Sequence, residues 1–152
     1  MIGVQYLFYA NRQDDISVQW AAKFDQHVDR KKNIKYYVVS QVMSLLSHYG
    51  LGHNLYIKNT LPTLERFIKK HNRLTSEYVF LFRVLNKLLS VHTKREKESL
   101  LRDFKSDMKA LQKTNRKNHL LSAHSLMVWA DNCLSKGVFL DTNRQLFVPE
   151  LA

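Results

Sequence analysis

Arg102, Lys105, Lys109, Lys113 and Arg116 follow one another at intervals of three, four, four and three residues. At helical pitch those steps hold the five cations within a sector of about 80°. Lys58, Arg66, Lys69, Lys70 and Arg73 make a second set, spread over about 120° and opposite an apolar stripe. Cations in line along a helix can follow a phosphate backbone, since each one that meets a phosphate releases a condensed counterion. The chemistry these residues suit is therefore recognition of a polyanion, with nucleic acid first. The spacing does not separate DNA from RNA.

The charge distribution points the same way. The chain of 152 residues carries 24 Lys and Arg against 13 Asp and Glu, a net charge of +11. Residues 58–117 alone hold sixteen bases and six acids, which is nearly the whole excess. A field concentrated in that way attracts nucleic acid, anionic lipid or an acidic protein. The bland alternative is the solvated outer face of two amphipathic helices, and Glu98, Asp103 and Asp107 lie close enough to Arg102–Arg116 to support it. Lipid ranks lower, because aromatic anchors opposite the charge are missing from the basic segments. A scaffold of helix pairs that grips an acidic or amphipathic protein is the second reading.

Catalytic constellations are weaker. Arg66-Phe67-Ile68-Lys69-Lys70-His71 resembles the Arg-x(4–6)-His arrangement of HEPN-type ribonucleases, which are helical and often basic. The resemblance implies RNA cleavage, with Arg66 steadying phosphate charge and His71 moving a proton. Five residues turn about 140° around a helix, however, so the two side chains diverge unless the helix ends between them. Nine Arg and seven His also produce about one such spacing by chance, and the expectation is an incidental match. His48 and His53 flank a glycine-containing turn, and His119 and His124 are off the i, i+4 metal spacing. Asp25 with Asp29, and Asp103 with Asp107, have basic neighbours and suit salt bridges better than acid–base work. Cys133 is the only cysteine and suits a small core position. No cofactor or metal is implied, and a non-enzymatic binding module is favoured.

The elements that must carry these residues are helical. Only four Gly and two Pro interrupt the chain, and apolar periodicity marks six segments. The first begins near Asp14 and aligns Ile16, Trp20, Phe24 and Val28. The second runs from Asn33 to a stop at Gly50, with Val38, Val42 and Leu45 on one side and Ser40, Ser44 and Ser47 on the other. The third covers roughly 57–71, starting at Thr60 or Leu61 if Pro62 is confined to the first turn. The fourth begins at Thr75 or Ser76 and is apolar nearly all round, which predicts an interior helix. The fifth, about 94–115, buries Leu101, Phe104 and Met108, and the sixth spans about 118–136. Residues 2–9 read as a strand or packed extended arm, and 138–148 as a short hairpin.

A shift of 43 residues superposes Tyr36-Tyr37-Val38-Val39 on Val79-Phe80-Leu81-Phe82, a spacing typical of helix pairs. The expected fold is mainly α, a single domain built as stacked helix pairs or a bundle. The last two segments with the hairpin would also outline a winged helix-turn-helix, with Asn118, Ser122, Ser125 and Asn132 facing outward. Trp129 on that same face makes a packed structural helix the stronger expectation. The absence of a long apolar run, of a basic leader and of a second cysteine predicts a cytoplasmic protein.

Overall fold

The computed structural model describes residues 1–114 and 121–135. Among them run seven α-helices: α1 (Ile2–Ala10), α2 (Asp14–His27), α3 (Ile34–Gly50), α4 (Asn54–Lys70), α5 (Ser76–Ser90), α6 (Lys94–Thr114) and α7 (Ala123–Leu134). The chain forms two compact units, one covering Met1–Phe82 and the other beginning at Arg83. The mainly α reading holds. The hairpin expected over 138–148 lies outside the described residues.

In the first unit α3 is the central helix and packs against α1, α2 and α4. It buries Val38, Val39, Val42, Met43, Leu45 and Leu46, and the strip of Ser40, Ser44 and Ser47 is buried as well. Small side chains let neighbouring backbones come close. Ser17 and Ala21 of α2 are buried, while Ile16 and Trp20 are only half-buried. Phe24 of the expected Ile16–Trp20–Phe24–Val28 line is buried beside them, so the inner face of α2 is rotated part of the way from that line towards Ser17 and Ala21. Gly50 explains part of this close fit. A Cβ there would collide with the Asp14 carboxylate at the start of α2, so α2 and α3 run antiparallel with their ends in contact.

Residues 2–9 form a helix rather than a strand or extended arm. A short apolar run has no period that separates the two, and here a polar residue decides. Gln5, fully buried, donates from Nε2 to the Ser40 carbonyl at 2.9 Å, and the Ser40 hydroxyl donates to Gln5 Oε1 at 2.6 Å. Gln5 and Tyr9, one helical turn apart, make the buried side of α1, whereas Leu7 faces outward.

Three helices of this unit end in the same way. After α1 the Gln13 N–H bonds to the Phe8 carbonyl and Arg12 N–H to Tyr9; after α3, His53 bonds to His48 and Gly52 to Tyr49; after α4, Arg73 bonds to Ile68 and Asn72 to Lys69. Each pair is the double bond of a Schellman turn, whose hinge residue needs a left-handed backbone. Arg12, Gly52 and Asn72 supply it with φ of 59°, 77° and 54°. The stop after α3 therefore rests on Gly52, and Gly50 is the last helical residue.

Leu81, Leu85 and Leu88 of α5 are fully or almost fully buried, but Val79, Arg83, Asn86 and Lys87 are exposed. One side of α5 therefore faces outward, and the helix is not interior all round as its composition suggested. In the second unit α6 opens with a capping box: Glu96 N–H bonds to Thr93 Oγ1 at 3.2 Å and Thr93 N–H returns to Glu96 at 3.3 Å. The Thr93 hydroxyl also donates to the Glu96 carboxylate at 2.6 Å, and this bond together with the one from Thr93 N–H holds the carboxyl below its ordinary pKa. Leu101, Phe104 and Met108 of α6 and Leu126 and Trp129 of α7 are buried. Phe104 meets Trp129 edge to face at 5.9 Å. Ser122 caps α7 by accepting from Ser125 N–H.

Candidate nucleic-acid interface

The α4 face is built around a proline. Pro62 lies inside the helix, not in its first turn, and has no N–H for the Lys58 carbonyl. Such an interior proline costs about 3 kcal/mol. Burial of Ile57 and Leu61, at about 1.5–3 kcal/mol each, offsets it and carries the helix back to Asn54. The longer helix brings Leu55 and Tyr56 onto the same element as the cations. Lys58, Arg66, Lys69 and Lys70 are all exposed on the side away from Ile57, Leu61, Leu64 and Ile68. No carboxylate among the described residues pairs with Lys58, Lys69 or Lys70. Arg73 is exposed too, but it lies beyond the Schellman turn at Asn72 and leaves the helical line.

The α6 face is partly neutralised. Arg102 sits 3.7 Å from Glu98, and Lys94 reaches the same carboxylate at 3.8 Å. Lys105 is half-buried and forms an ion pair with Asp131 of α7. Lys109 and Lys113 are exposed, and Arg116 lies outside the described residues. Lys105 thus ties α6 to α7, and its charge is already met.

Arg66 and His71 do not converge. The Arg66 guanidinium folds back along α4, with Nε donating to the Pro62 carbonyl at 3.3 Å and an Nη to Thr63 Oγ1 at 3.4 Å. His71 follows the last helical residue, and its ring lies against Phe67 with 4.5 Å between centroids. A phosphate held by one would not be presented to the other. Neither does α7 offer a reading face. Trp129 and Asn132 are buried, Ser122 is the cap and Ser125 is half-buried. Asn118 lies outside the described residues.

The α3–α4 turn holds side chains that the sequence reading left unused. The Schellman geometry brings His48 and His53 together, with Nδ1 to Nδ1 at 2.8 Å. One of the two nitrogens carries the proton of that bond and the other accepts it. Burial, followed by the neighbouring His53, lowers the His48 pKa below its ordinary value. Tyr56 stacks on the His48 ring at 3.7 Å between centroids and an interplanar angle of 30°. Tyr56 is 40% exposed and Leu55 71% exposed. Helix limits set by Pro62 hid this group, because a start at Ile57 or later left Leu55 and Tyr56 in a loop. The left-handed signal of Gly52 followed by a polar Asn54 was the clue to an earlier start.

Elsewhere the carboxylates serve structure. Asp25 receives two bonds from Arg30 at 2.8 Å, and Asp29 accepts from Lys31 N–H. Burial raises the Tyr37 pKa, against the pull of Arg30. Tyr78 is pushed up to about 12 by burial and then by Glu77. Cys133 is half-buried. No three His, Cys, Asp or Glu side chains among the described residues gather as metal ligands, and no described helix is long and apolar enough to cross a membrane. No protein family, characterised protein or solved structure matches the chain.

Proposed function

We propose that this chain is a non-enzymatic helical module that binds nucleic acid through phosphate contacts, led by the outward face of α4. The supporting observation is that Lys58, Lys69 and Lys70 are exposed on one side of one helix without a carboxylate partner among the described residues. Each such cation can meet a phosphate and release the counterion condensed there without first breaking an ion pair, whereas Lys105 would first have to leave Asp131. The α6 cations Arg102, Lys109 and Lys113 extend the basic surface of the second unit and take a smaller share.

Fluorescence anisotropy with labelled oligonucleotides tests this at two salt concentrations. With Lys58, Arg66, Lys69 and Lys70 each on a phosphate, the log–log salt slope is about −3, and affinity falls about 50- to 150-fold between 50 and 200 mM. Lys58→Glu, Lys69→Glu and Lys70→Glu together leave Arg66 as the one α4 cation and reduce the α4 part of that loss to about threefold. The same reversal at Lys109 and Lys113 weakens binding less. Absence of binding at low salt, or a slope unchanged by the α4 triple reversal, refutes the assignment and moves the protein-scaffold reading ahead.

A further inference from the structure

The α4 cations do not stand alone on their surface. Leu55 falls within the same sector of the helix as Lys58, Arg66 and Lys69, and Tyr56 lies about 40° beyond the edge marked by Lys70. Both are exposed, and Tyr56 is held flat by the His48 ring behind it. An aromatic ring fixed by a neighbour on one face has little rotational freedom left to lose when a second ring covers the other face. A duplex offers no partner for such a surface, because its base faces are stacked on one another and only base edges line the grooves. An unpaired strand offers both parts at once, a phosphate row for the cations and free π-faces for the ring.

Resting on the phosphate-binding reading above, we propose that the α3–α4 turn is a stacking platform for unpaired bases. Tyr56 backed by His48 takes a base, Leu55 packs on its neighbour, and the α4 cations hold the connecting phosphates. The ligand class is single-stranded nucleic acid. The low pKa of His48 leaves the backing ring uncharged at neutral pH, so the platform is the apolar part of the site and the lysines are its ionic part.

An abasic phosphodiester strand separates the two parts, since it keeps every phosphate and removes every base. Binding of a normal single strand and of an abasic strand of equal length is measured by anisotropy at one salt concentration, beside a duplex of that length. The normal strand binds about 5- to 150-fold tighter than the abasic strand, the range for stacking of one base on an aromatic ring. Tyr56→Ala removes that advantage and leaves abasic binding unchanged. Tyr56→Phe, which keeps the ring, preserves it, and Leu55→Ala, at a position already exposed, reduces it without touching the fold. Equal binding of normal and abasic strands, or tighter binding of duplex than of single strand, overturns the platform while the phosphate reading stands. Loss of abasic binding in Tyr56→Ala, with Leu55→Ala and Tyr56→Phe equal to the parent, also overturns it. No binding of any strand overturns both readings.

Discussion

Replacing Gln5 tests the part of the architecture that departs most from an amphipathic pattern. Its side chain is fully buried and exchanges two hydrogen bonds with Ser40, from Nε2 to the carbonyl and from the Ser40 hydroxyl to Oε1. In Gln5→Met the length and burial remain while both bonds vanish. Each bond contributes about 1 kcal/mol, and the stranded Ser40 hydroxyl adds a desolvation cost of about 1 kcal/mol or more. The expected loss is about 2–4 kcal/mol, which lowers the urea midpoint of the first unit by roughly 1–2 M. Adding Ser40→Ala removes the stranded hydroxyl and recovers part of that loss, so the double-mutant cycle shows a coupling of about 1–2 kcal/mol. A Gln5→Met protein within about 0.5 kcal/mol of the parent, a typical surface value, or a cycle with no coupling, refutes the docking of α1 on α3 through this pair.

Gly50→Ala gains helix propensity but obliges the Asp14 carboxylate, whose side-chain atoms alone stand in the way, to swing aside, and a net change of no more than about 1 kcal/mol in chemical denaturation is expected. His48 has a lowered pKa in the folded state. Its contribution to stability is therefore fully present above its unfolded value near 6.5 and is lost as pH falls towards the lower folded value. Denaturation midpoints at pH 7.5 and 5.5 read this, and His48→Gln flattens the difference. Single-stranded RNA incubated with the protein stays intact, because Arg66 and His71 face apart. Cleavage abolished by both Arg66→Ala and His71→Ala refutes that geometry.

Helix content and the cation rows were legible in the sequence because both depend on spacing. Lys58, Lys69 and Lys70 are exposed on one face for the reason the period gave: Ile57, Leu61, Leu64 and Ile68 occupy the other. What spacing does not carry is which polar residues go inside. Ser40, Ser44, Ser47, Ser17 and Gln5 are buried because close backbone approach and a reciprocal hydrogen bond outweigh their polarity, and both depend on a neighbouring helix. The same holds for charge. Arg102 and Lys105 fall on the cation row, yet Glu98 lies one turn away and Asp131 comes from α7, so their partners depend on rotamer and tertiary contact. Pro62 misled through a local rule that tertiary burial overrides. Arg73 left the row because the left-handed Asn72 turns the chain before it.

The order in which the helices pack also bears on how quickly the chain finds its structure. Among the described residues, the principal packings join neighbours in sequence: α1 with α2, α2 with α3, α3 with α4, and α6 with α7. Two of the intervening reversals, α1 to α2 and α3 to α4, are set by turns that close within six residues. Little loop entropy is then spent before a contact forms, and helical proteins with such short-range contacts fold within microseconds to milliseconds. The docking of α1 on α3 skips a helix, so its anchor at Gln5 and Ser40 is expected to form after the α2–α3 hairpin has placed its surface. Mutations at that anchor speed unfolding more than they slow folding.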